Sequence, residues 1–221
     1  MKLQVLDKGS VELMSHTPDG DLLVVNAARC SFDKQHEEFD DEKDAKLINY
    51  LAREQHVLPF RHPNVSLRLV APIFVMRQLG KHQVGFSWSE VSRRYITGEP
   101  EFHSPTFWRE KADNVKQGST DTIHPRSSNF NGDYLALKKN AVMVYNAWIE
   151  QGVPAEQARM ILPQSMFTTT VTTGTLLGWY HLWKLRTEEH TQLETQKYAR
   201  AIGDIMAKLY PVSWEALCRH S

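Results

Sequence analysis

"NVSLRLVAPIFVMRQLGKH" occupies residues 64–82 and contains the two periodicities that decide the fold. Its first part, Asn64–Val70, alternates apolar and polar side chains with period two, which predicts a strand with one buried face. Pro72 suits the first turn of a helix, because its φ angle is already near the helical value. We therefore predict a strand that passes into a helix ending near Gly80–His82.

The flanking segments predict further strands and helices. The first thirty residues are expected to be β, with strands at "LQVLD" and "VELMSH", a Pro-Asp-Gly turn and a further buried run, "LLVVNAARCSF". Residues 41–55 predict an amphipathic helix with an N-cap at Asp40 or Asp41. Residues 98–133 are rich in Pro, Ser, Asn, His and Gly, and we expect an ordered excursion there that acts as a lid or a subunit contact.

The second half of the chain is mostly helical in its pattern. Helices are predicted at "YLALKKNAVMVYNAWIEQG" with Leu137, Val144, Ala147 and Trp148 facing inward, at "PAEQARMIL", at "GTLLGWYHLWKLR", and at "HTQLETQKYARAIGDIMAKLY" with a Thr191–Glu194 capping box. "SMFTTTVTT" predicts a strand through its branched residues. The expected fold is a single α+β domain over residues 1–221, with an antiparallel or mixed sheet packed against helices.

The composition excludes several classes of protein. The chain has 221 residues, 41% hydrophobic and 24% charged, which is ordinary for a globular domain. Lys plus Arg and Asp plus Glu each total 26, so the basic excess of a nucleic-acid polymer binder is missing. No apolar run is long enough to span a bilayer, and the N-terminus does not resemble a signal peptide. Cys30 and Cys218 form no metal-type pair, which favours a reducing cytoplasm.

The segment Arg77–Tyr95 concentrates cations and hydroxyl groups in a chain without net charge. It holds four basic residues against one acid, Glu90, whereas a solvated helix face would mix both signs. Serine hydroxyls and backbone N–H groups beside two arginines are the donors that surround a phosphate. Arg159 lies among apolar neighbours in "EQARMILP", so it is a further candidate. The alternatives are a turn capped by its own serines and an arginine paired with Glu156.

Motifs of other enzyme classes are missing. The sequence has no GxGxxG, GxxxxGK[ST] or GxSxG, which disfavours a Rossmann unit, a P-loop and an α/β-hydrolase. The histidines show no HExxH or compact Cys/His spacing, so no metal site is predicted. Neither cysteine has surroundings that clearly activate a thiol.

Taken together, five segments resemble the flavin-dependent thymidylate synthases, the ThyX family. They are "NAARCSF", "REQHVLPFRHPNVSLRLVAPIFVMRQ", "RQLGKHQVGFSWSEVSRRY", "ARMILP" and "LRTEEHTQLETQKYARAI". The third resembles the signature Arg-His-Arg, a short spacer, then Ser-x-Asn-Glu-x-Ser-x-Arg-Tyr. The five segments occur in the family's order and cover most of the chain, so the resemblance implies a ThyX-like fold.

The resemblance also implies a reaction and its site. The reaction is reductive methylation of dUMP to dTMP, with carbon from methylenetetrahydrofolate and reducing equivalents from NADPH passed through FAD. The implied assembly is a homotetramer with active sites at subunit interfaces. The residues implied for dUMP are Gln78, Glu90, Ser92, Arg93, Arg94, Arg159 and Arg186. Among these, Arg186 is expected to face the uracil carbonyls as the catalytic cation. Ser92 is the one nucleophile candidate, although a role in binding the phosphate is favoured for it. Residues implied for FAD are Ser31, His56, Lys81, His82, Gln83, His181 and His190.

Departures from the family pattern cluster on the flavin and folate side. Lys81-His82-Gln83 stands where the family has Arg-His-Arg, and the spacer to Glu90 is one residue longer. Other positions also differ from the family's residues: Leu58, Arg61, Ser89, Thr175, Leu177 and His181. Lysine keeps the charge of arginine but loses its fork, so dUMP recognition is better supported than the mode of FAD binding. The pattern indicates a divergent branch, with a viral source and host cytoplasm as one option.

Two alternatives stay open at this stage. A pyrimidine nucleotide hydroxymethylase would keep the nucleotide pocket and use water in place of hydride in the last step. A non-catalytic dUMP-binding protein would bind the nucleotide without flavin and without turnover. The mass of the product separates them.

Overall fold

The computed structural model describes residues 1–113 and 118–220. The helices are α1 (Gly20–Arg29), α2 (Lys43–Arg53), α3 (Ile73–Leu79), α4 (Ser127–Glu150), α5 (Ala155–Ala158), α6 (Leu176–Arg186), α7 (Leu193–Leu209) and α8 (Pro211–Arg219). The strands are β1 (Lys2–Val5), β2 (Gly9–His16), β3 (Asn64–Pro72), β4 (Phe86–Glu90), β5 (Arg109–Lys111), β6 (Ser119–Ile123) and β7 (Phe167–Thr175). This is the predicted α+β class.

The main sheet has the strand order β1-β2-β3-β7-β4, and all neighbours pair antiparallel. Its middle strand is β3, the strand predicted from the period-two pattern. Val65, Leu67, Leu69 and Ala71 are fully buried on one face of it, so the prediction is confirmed. Helix α7 packs against β1 and β2, and α6 packs against α7, which covers that face with one hydrophobic core. Pro72 is the last residue of β3, directly before α3.

The prediction of β structure for the run after the first turn is wrong, because Gly20–Arg29 forms α1. A short apolar run does not reveal by its pattern whether it is a strand or a helix, so packing decides. Asp21 accepts hydrogen bonds from the backbone N–H groups of Val212 and Ser213 at 3.1 and 2.9 Å. The Asp21 carboxylate therefore caps the start of α8 and attaches α1 to that helix. Helix α8 itself was not predicted.

Two predictions about α4 need correction. The helix begins at Ser127, before the predicted start, and two residues placed inward are at the surface, since Leu137 is 59% and Trp148 36% exposed. Ala141 and Tyr145 are buried instead, because α4 packs on α5 and the turn after it rather than on the sheet. A surface helix with large apolar side chains on its outer face is a candidate interface.

The predicted capping box at the start of α7 does not form. Glu194 bonds to Arg109 from β5, and Thr191 Oγ1 donates to the carbonyl of Leu185 at 3.1 Å. Both side chains therefore form contacts outside the first turn of α7 instead of capping it. At the start of α2, Asp40 Oδ1 does accept from the N–H groups of Glu42 and Lys43, as predicted for Asp40.

The excursion of residues 98–133 contains a separate two-stranded sheet, β5 with β6, followed by the first turns of α4. Residues 114–117 of the excursion lie outside the described part of the chain. Among the described residues, no helix combines the length and the hydropathy needed to cross a membrane.

Candidate functional site

The signature segment folds as edge strand β4 and the turn after it. Pairing of β4 with β7 sets Glu90 opposite Thr170 in the register, and Glu90 Oε1 accepts from Thr168 Oγ1 at 2.8 Å. The carboxylate is therefore held toward the sheet beside the turn. No strand was predicted at "FSWSE" from the sequence.

The turn after β4 carries the candidate phosphate donors. Ser92 Oγ accepts from both N–H and Nε–H of Arg94, each at 3.3 Å. Arg94 is exposed, with its guanidinium 5.0 Å from the ring centroid of Tyr95. Arg93 points elsewhere: it donates to the carbonyl of Gly98 at 2.6 Å and lies over the ring of Tyr145. The bonding of Ser92 to an arginine agrees with an anion-binding turn better than with an activated nucleophile.

Arg159 lies in a 3₁₀ turn, residues 159–161, directly after α5. Its side chain is exposed, and Nε donates to the carbonyl of Glu156 at 3.3 Å. Its neighbour Met160 is also exposed. Arg159 is thus free to receive an anion, and the alternative of an ion pair with the Glu156 carboxylate is not the geometry observed.

A cavity of about 530 Å³ brings together Gln78, Arg186 and His190, three predicted site residues on three different segments. The other residues that line it are Arg109, Gly118, Ser119, Thr191 and Gln192. Gln78 Nε2 donates to Gln192 Oε1 at 2.7 Å, which links α3 to the start of α7. Two guanidinium groups and no carboxylate line this cavity within the described chain, so it suits an electron-rich ligand.

Arg186, at the end of α6, is held by a histidine of the signature. Its Nε donates to Nε2 of His82 at 3.1 Å. Burial, and after it the charges of Arg186 and His181, lowers the pKa of His82 to about 4. His82 is therefore neutral near pH 7, with its proton on Nδ1 and its Nε2 lone pair toward Arg186. Burial also lowers the pKa of Arg186, which nevertheless stays a cation.

The residues predicted for FAD lie largely at the surface. Ser31, His56, Lys81, Gln83 and His190 are exposed, while His82 is partly buried. His181 lines a cavity of about 260 Å³ with residues of α2 and the loop that follows it, Ala52, Gln55 and Val57. Burial and the charges of Lys184 and Arg61 lower the pKa of His181. Uncommitted imidazole, hydroxyl and ammonium groups are donors that suit a flavin ring and its diphosphate, so the residues fit FAD.

A buried ion-pair network fixes the segment that carries Ser31. Asp44 of α2 is fully buried and binds Arg29 at 2.6 Å, His36 at 3.4 Å and the backbone N–H of Asp40 at 3.0 Å. The network joins α1, α2 and the chain between them. It explains the position of the arginine in "NAARCSF": Arg29 is structural, and it presents the following Ser31 at the surface.

Two departures from the family pattern have structural roles here. Thr175 caps α6, since its Oγ1 accepts from the N–H of Gly178 at 3.0 Å. Leu177 is buried in the core, with 3% exposure. The Thr175 hydroxyl is thus used within the fold, and Leu177 has no polar group to offer a ligand.

Sequence reasoning missed five residues of the cavity, which are Arg109, Gly118, Ser119, Thr191 and Gln192. Arg109 and Ser119 lie in the excursion, whose composition carries no period, and their relation to Arg186 arises only when the hairpin folds over the start of α7. Gln192 lies between the recognised His190 and Glu194, so its place in that motif was the available signal.

The protein is thus of the α+β class and has a cation-lined cavity that suits an electron-rich small molecule. The family model of the thymidylate synthase complementing protein matches residues 12–212. The chain is 35% identical to the flavin-dependent thymidylate synthase of Thermus thermophilus over 100% of this chain and 79% of that protein. It is also 35% identical to the Thermotoga neapolitana enzyme of the same name, over 100% of this chain and 96% of that one.

Among solved structures, a UMP/dUMP methylase, PolB from Streptomyces cacaoi bound with 5-Br dUMP, aligns with a TM-score of 0.86 and 27% identity, covering 98% of this chain and 97% of that one. The chain belongs to the flavin-dependent thymidylate synthase family. This confirms the predicted family and enzyme class, dUMP methylation, and FAD as the cofactor that the family implies, with NADPH and methylenetetrahydrofolate as its usual co-substrates.

Proposed function

We propose that this enzyme converts dUMP to dTMP with the uracil ring in the cavity of Gln78, Arg186 and His190. The observation that carries the proposal is the Arg186 guanidinium in a cavity lined by cations and amides, with no carboxylate among its described lining residues. Methylation at C5 requires negative charge to develop on the uracil carbonyls. A fixed cation at that position stabilises the charge more in the transition state than in the ground state.

The nucleotide phosphate binds to Arg94 and Arg159, with Ser92 as a hydroxyl contact. Both guanidinium groups are exposed and neither forms an ion pair among the described residues. They lie outside the residues lining the Arg186 cavity. A site completed by two or more copies of the chain accounts for this separation, and we infer the homotetramer that the family resemblance implies. The exposed apolar side chains of α4, among them Leu137, Met143 and Trp148, favour such an assembly.

FAD binds along His82, His181, His56, Ser31, Lys81 and Gln83, and His190, which lines the Arg186 cavity, lies where the flavin reaches that cavity. When bound, the flavin supplies the hydride that completes the methyl group. His82 lies between the flavin side and the nucleotide side, because it contacts Arg186 and is influenced by the charge of His181. The protein's contribution is to orient dUMP against the flavin and the folate and to exclude water.

UMP is a second candidate substrate. The similar structure from Streptomyces cacaoi is described as a UMP/dUMP methylase and was also solved with 5-Br UMP, where the alignment has a TM-score of 0.84 and 26% identity. The hydroxymethyl product stays the alternative that the altered flavin side motivates.

The first experiment measures the mass of the nucleotide product. The purified protein is incubated with methylenetetrahydrofolate, NADPH and either dUMP or UMP, with and without added FAD. We expect a methylated product from dUMP only when FAD is present, whether added or co-purified. A hydroxymethylated product, or no product despite dUMP binding, contradicts the proposed reaction.

A further inference from the structure

An ion pair attaches the hairpin of β5 and β6 to the start of α7, beside the candidate substrate cavity. Arg109 Nη1 and Nη2 donate to the two carboxylate oxygens of Glu194 at 3.1 and 3.3 Å. Arg109 Nε donates to Ser119 Oγ on the paired strand at 2.7 Å. One guanidinium therefore ties both strands of the hairpin to the first turn of α7. A two-stranded ribbon is marginally stable alone, so this attachment determines where the hairpin lies.

The pair is well shielded from solvent, since the side chains of Arg109 and Glu194 are only 15% and 14% exposed. Burial would raise the pKa of Glu194, but the hydrogen bonds and the charge of Arg109 outweigh it and lower that pKa. The carboxylate is thus ionised at neutral pH, next to the favourable N-terminal end of α7. Both oxygens are fixed by a bidentate contact, which specifies orientation as well as charge.

Residues of the hairpin border three cavities, one of which is a polar cavity of about 500 Å³ lined by Arg109 and Ser119. Arg109, Gly118 and Ser119 line the cavity that contains Arg186, and Arg109 and Ser119 also line a neighbouring aromatic cavity of about 390 Å³. Glu194 lines only the aromatic cavity. Arg109 therefore forms the partition between the Arg186 cavity and the aromatic cavity, because it lines both, and Glu194 lies on the aromatic side.

We propose that Arg109 and Glu194 are positioning residues, which hold the β5–β6 hairpin as one side of the substrate cavity and so set the geometry in which the pyrimidine nucleotide meets Arg186. This inference rests on the proposed function. Neither residue reacts with the substrate. We assign the positioning role to this pair because Arg109 and Glu194 come from separate parts of the chain and meet at the border of the cavity.

The test compares Arg109→Lys and Glu194→Gln with the wild-type protein as purified, at matched FAD content. Lysine keeps the charge but loses the fork, and glutamine keeps the shape but loses the charge. We expect the dissociation constant for dUMP to rise about tenfold in each, because misplacing a cavity side costs binding and rate. Amide exchange of the hairpin should become faster. Arg219→Lys, in the exposed Arg219–Glu215 pair of α8, is the matched control. It should leave the dissociation constant for dUMP and the amide exchange of the hairpin unchanged.

Variants whose folded fraction binds dUMP like the wild type would overturn the inference and leave the proposed function intact. A wild-type protein that binds no dUMP would overturn both. If either variant fails to fold, Asn131→Ala replaces it, since Asn131 Oδ1 accepts from Trp108 Nε1 at 2.8 Å and holds the hairpin from α4. The same weakening of dUMP binding is expected there, and unchanged binding would contradict the role of the hairpin.

Discussion

Arg186 Nε donates to Nε2 of His82 across 3.1 Å, which leaves the two terminal amino groups of the guanidinium for a ligand. The two residues are 104 positions apart in the sequence, at the end of α6 and just after α3. If Arg186 binds the uracil as proposed, the contact predicts a role of His82 on the nucleotide side in addition to the flavin role implied by the resemblance. A neutral imidazole that accepts from arginine fixes its orientation without cancelling its charge.

His82→Leu should therefore weaken dUMP binding even in FAD-free protein. Losing a hydrogen bond to a charged group costs about 1.5–3 kcal/mol, which is at least tenfold in affinity. His82→Gln keeps an acceptor and should retain part of the affinity. Titration of FAD-free variants with dUMP measures this, with His16→Leu as a control at an exposed histidine. Unchanged affinity in His82→Leu would restrict His82 to the flavin.

The low pKa of His82 predicts a pH dependence of stability. Since this pKa is about 4 in the folded state and 6.5 for an ordinary histidine, the unfolded state binds more protons between these values. The free energy of unfolding should fall as pH drops from about 6.5 to about 4. Chemical denaturation at pH 7 and pH 5 should show a smaller loss in His82→Gln than in the wild type. Parallel losses would show that His82 is protonated as easily when folded as when unfolded.

Arg94→Ala and Arg159→Ala should each reduce dUMP affinity, because each removes an anion contact worth about 1.5–3 kcal/mol. The effect should be smaller for deoxyuridine, which has no phosphate. Binding titration of both ligands measures the difference, and Arg53→Ala, an exposed arginine paired with Glu54, serves as the control. Equal losses for nucleoside and nucleotide would place these arginines away from the phosphate.

Gln83→Arg should increase FAD retention. It restores the guanidinium that the family has at this position, and the side chain of Gln83 is exposed beside His82. The ratio of flavin to protein after gel filtration measures retention. An unchanged ratio would mean that the longer spacer before Glu90 has turned the position away from the cofactor.

Asp44→Asn should destabilise the fold by about 3–5 kcal/mol, because it leaves the buried Arg29 without its counter-ion. Thermal and urea denaturation measure the loss. Asp204→Asn, at an exposed position of α7, is the matched control and should change little. A wild-type stability in Asp44→Asn would mean that the Arg29 network contributes nothing net to the fold.

The sequence by itself determined the strand at β3, the helix that follows it, the α+β class and the family. These features depend on local periodicity and on motifs whose spacing is short, so neighbouring residues specify them. The resemblance implied His82 from the signature segment and Arg186 from "LRTEEHTQLETQKYARAI" as site residues, although nothing in the sequence indicated that they touch.

The remaining features of the fold and the site depend on tertiary contacts. The apolar run folds as helix α1, which Asp21 docks to the start of α8, and the expected capping box failed because Arg109 bonds to Glu194. Leu137 and Trp148 face outward because α4 lies off the sheet. The partition between the two cavities depends on contacts between residues 85 positions apart. Such contacts are selected by packing and charge pairing after the elements form, and no local pattern encodes them.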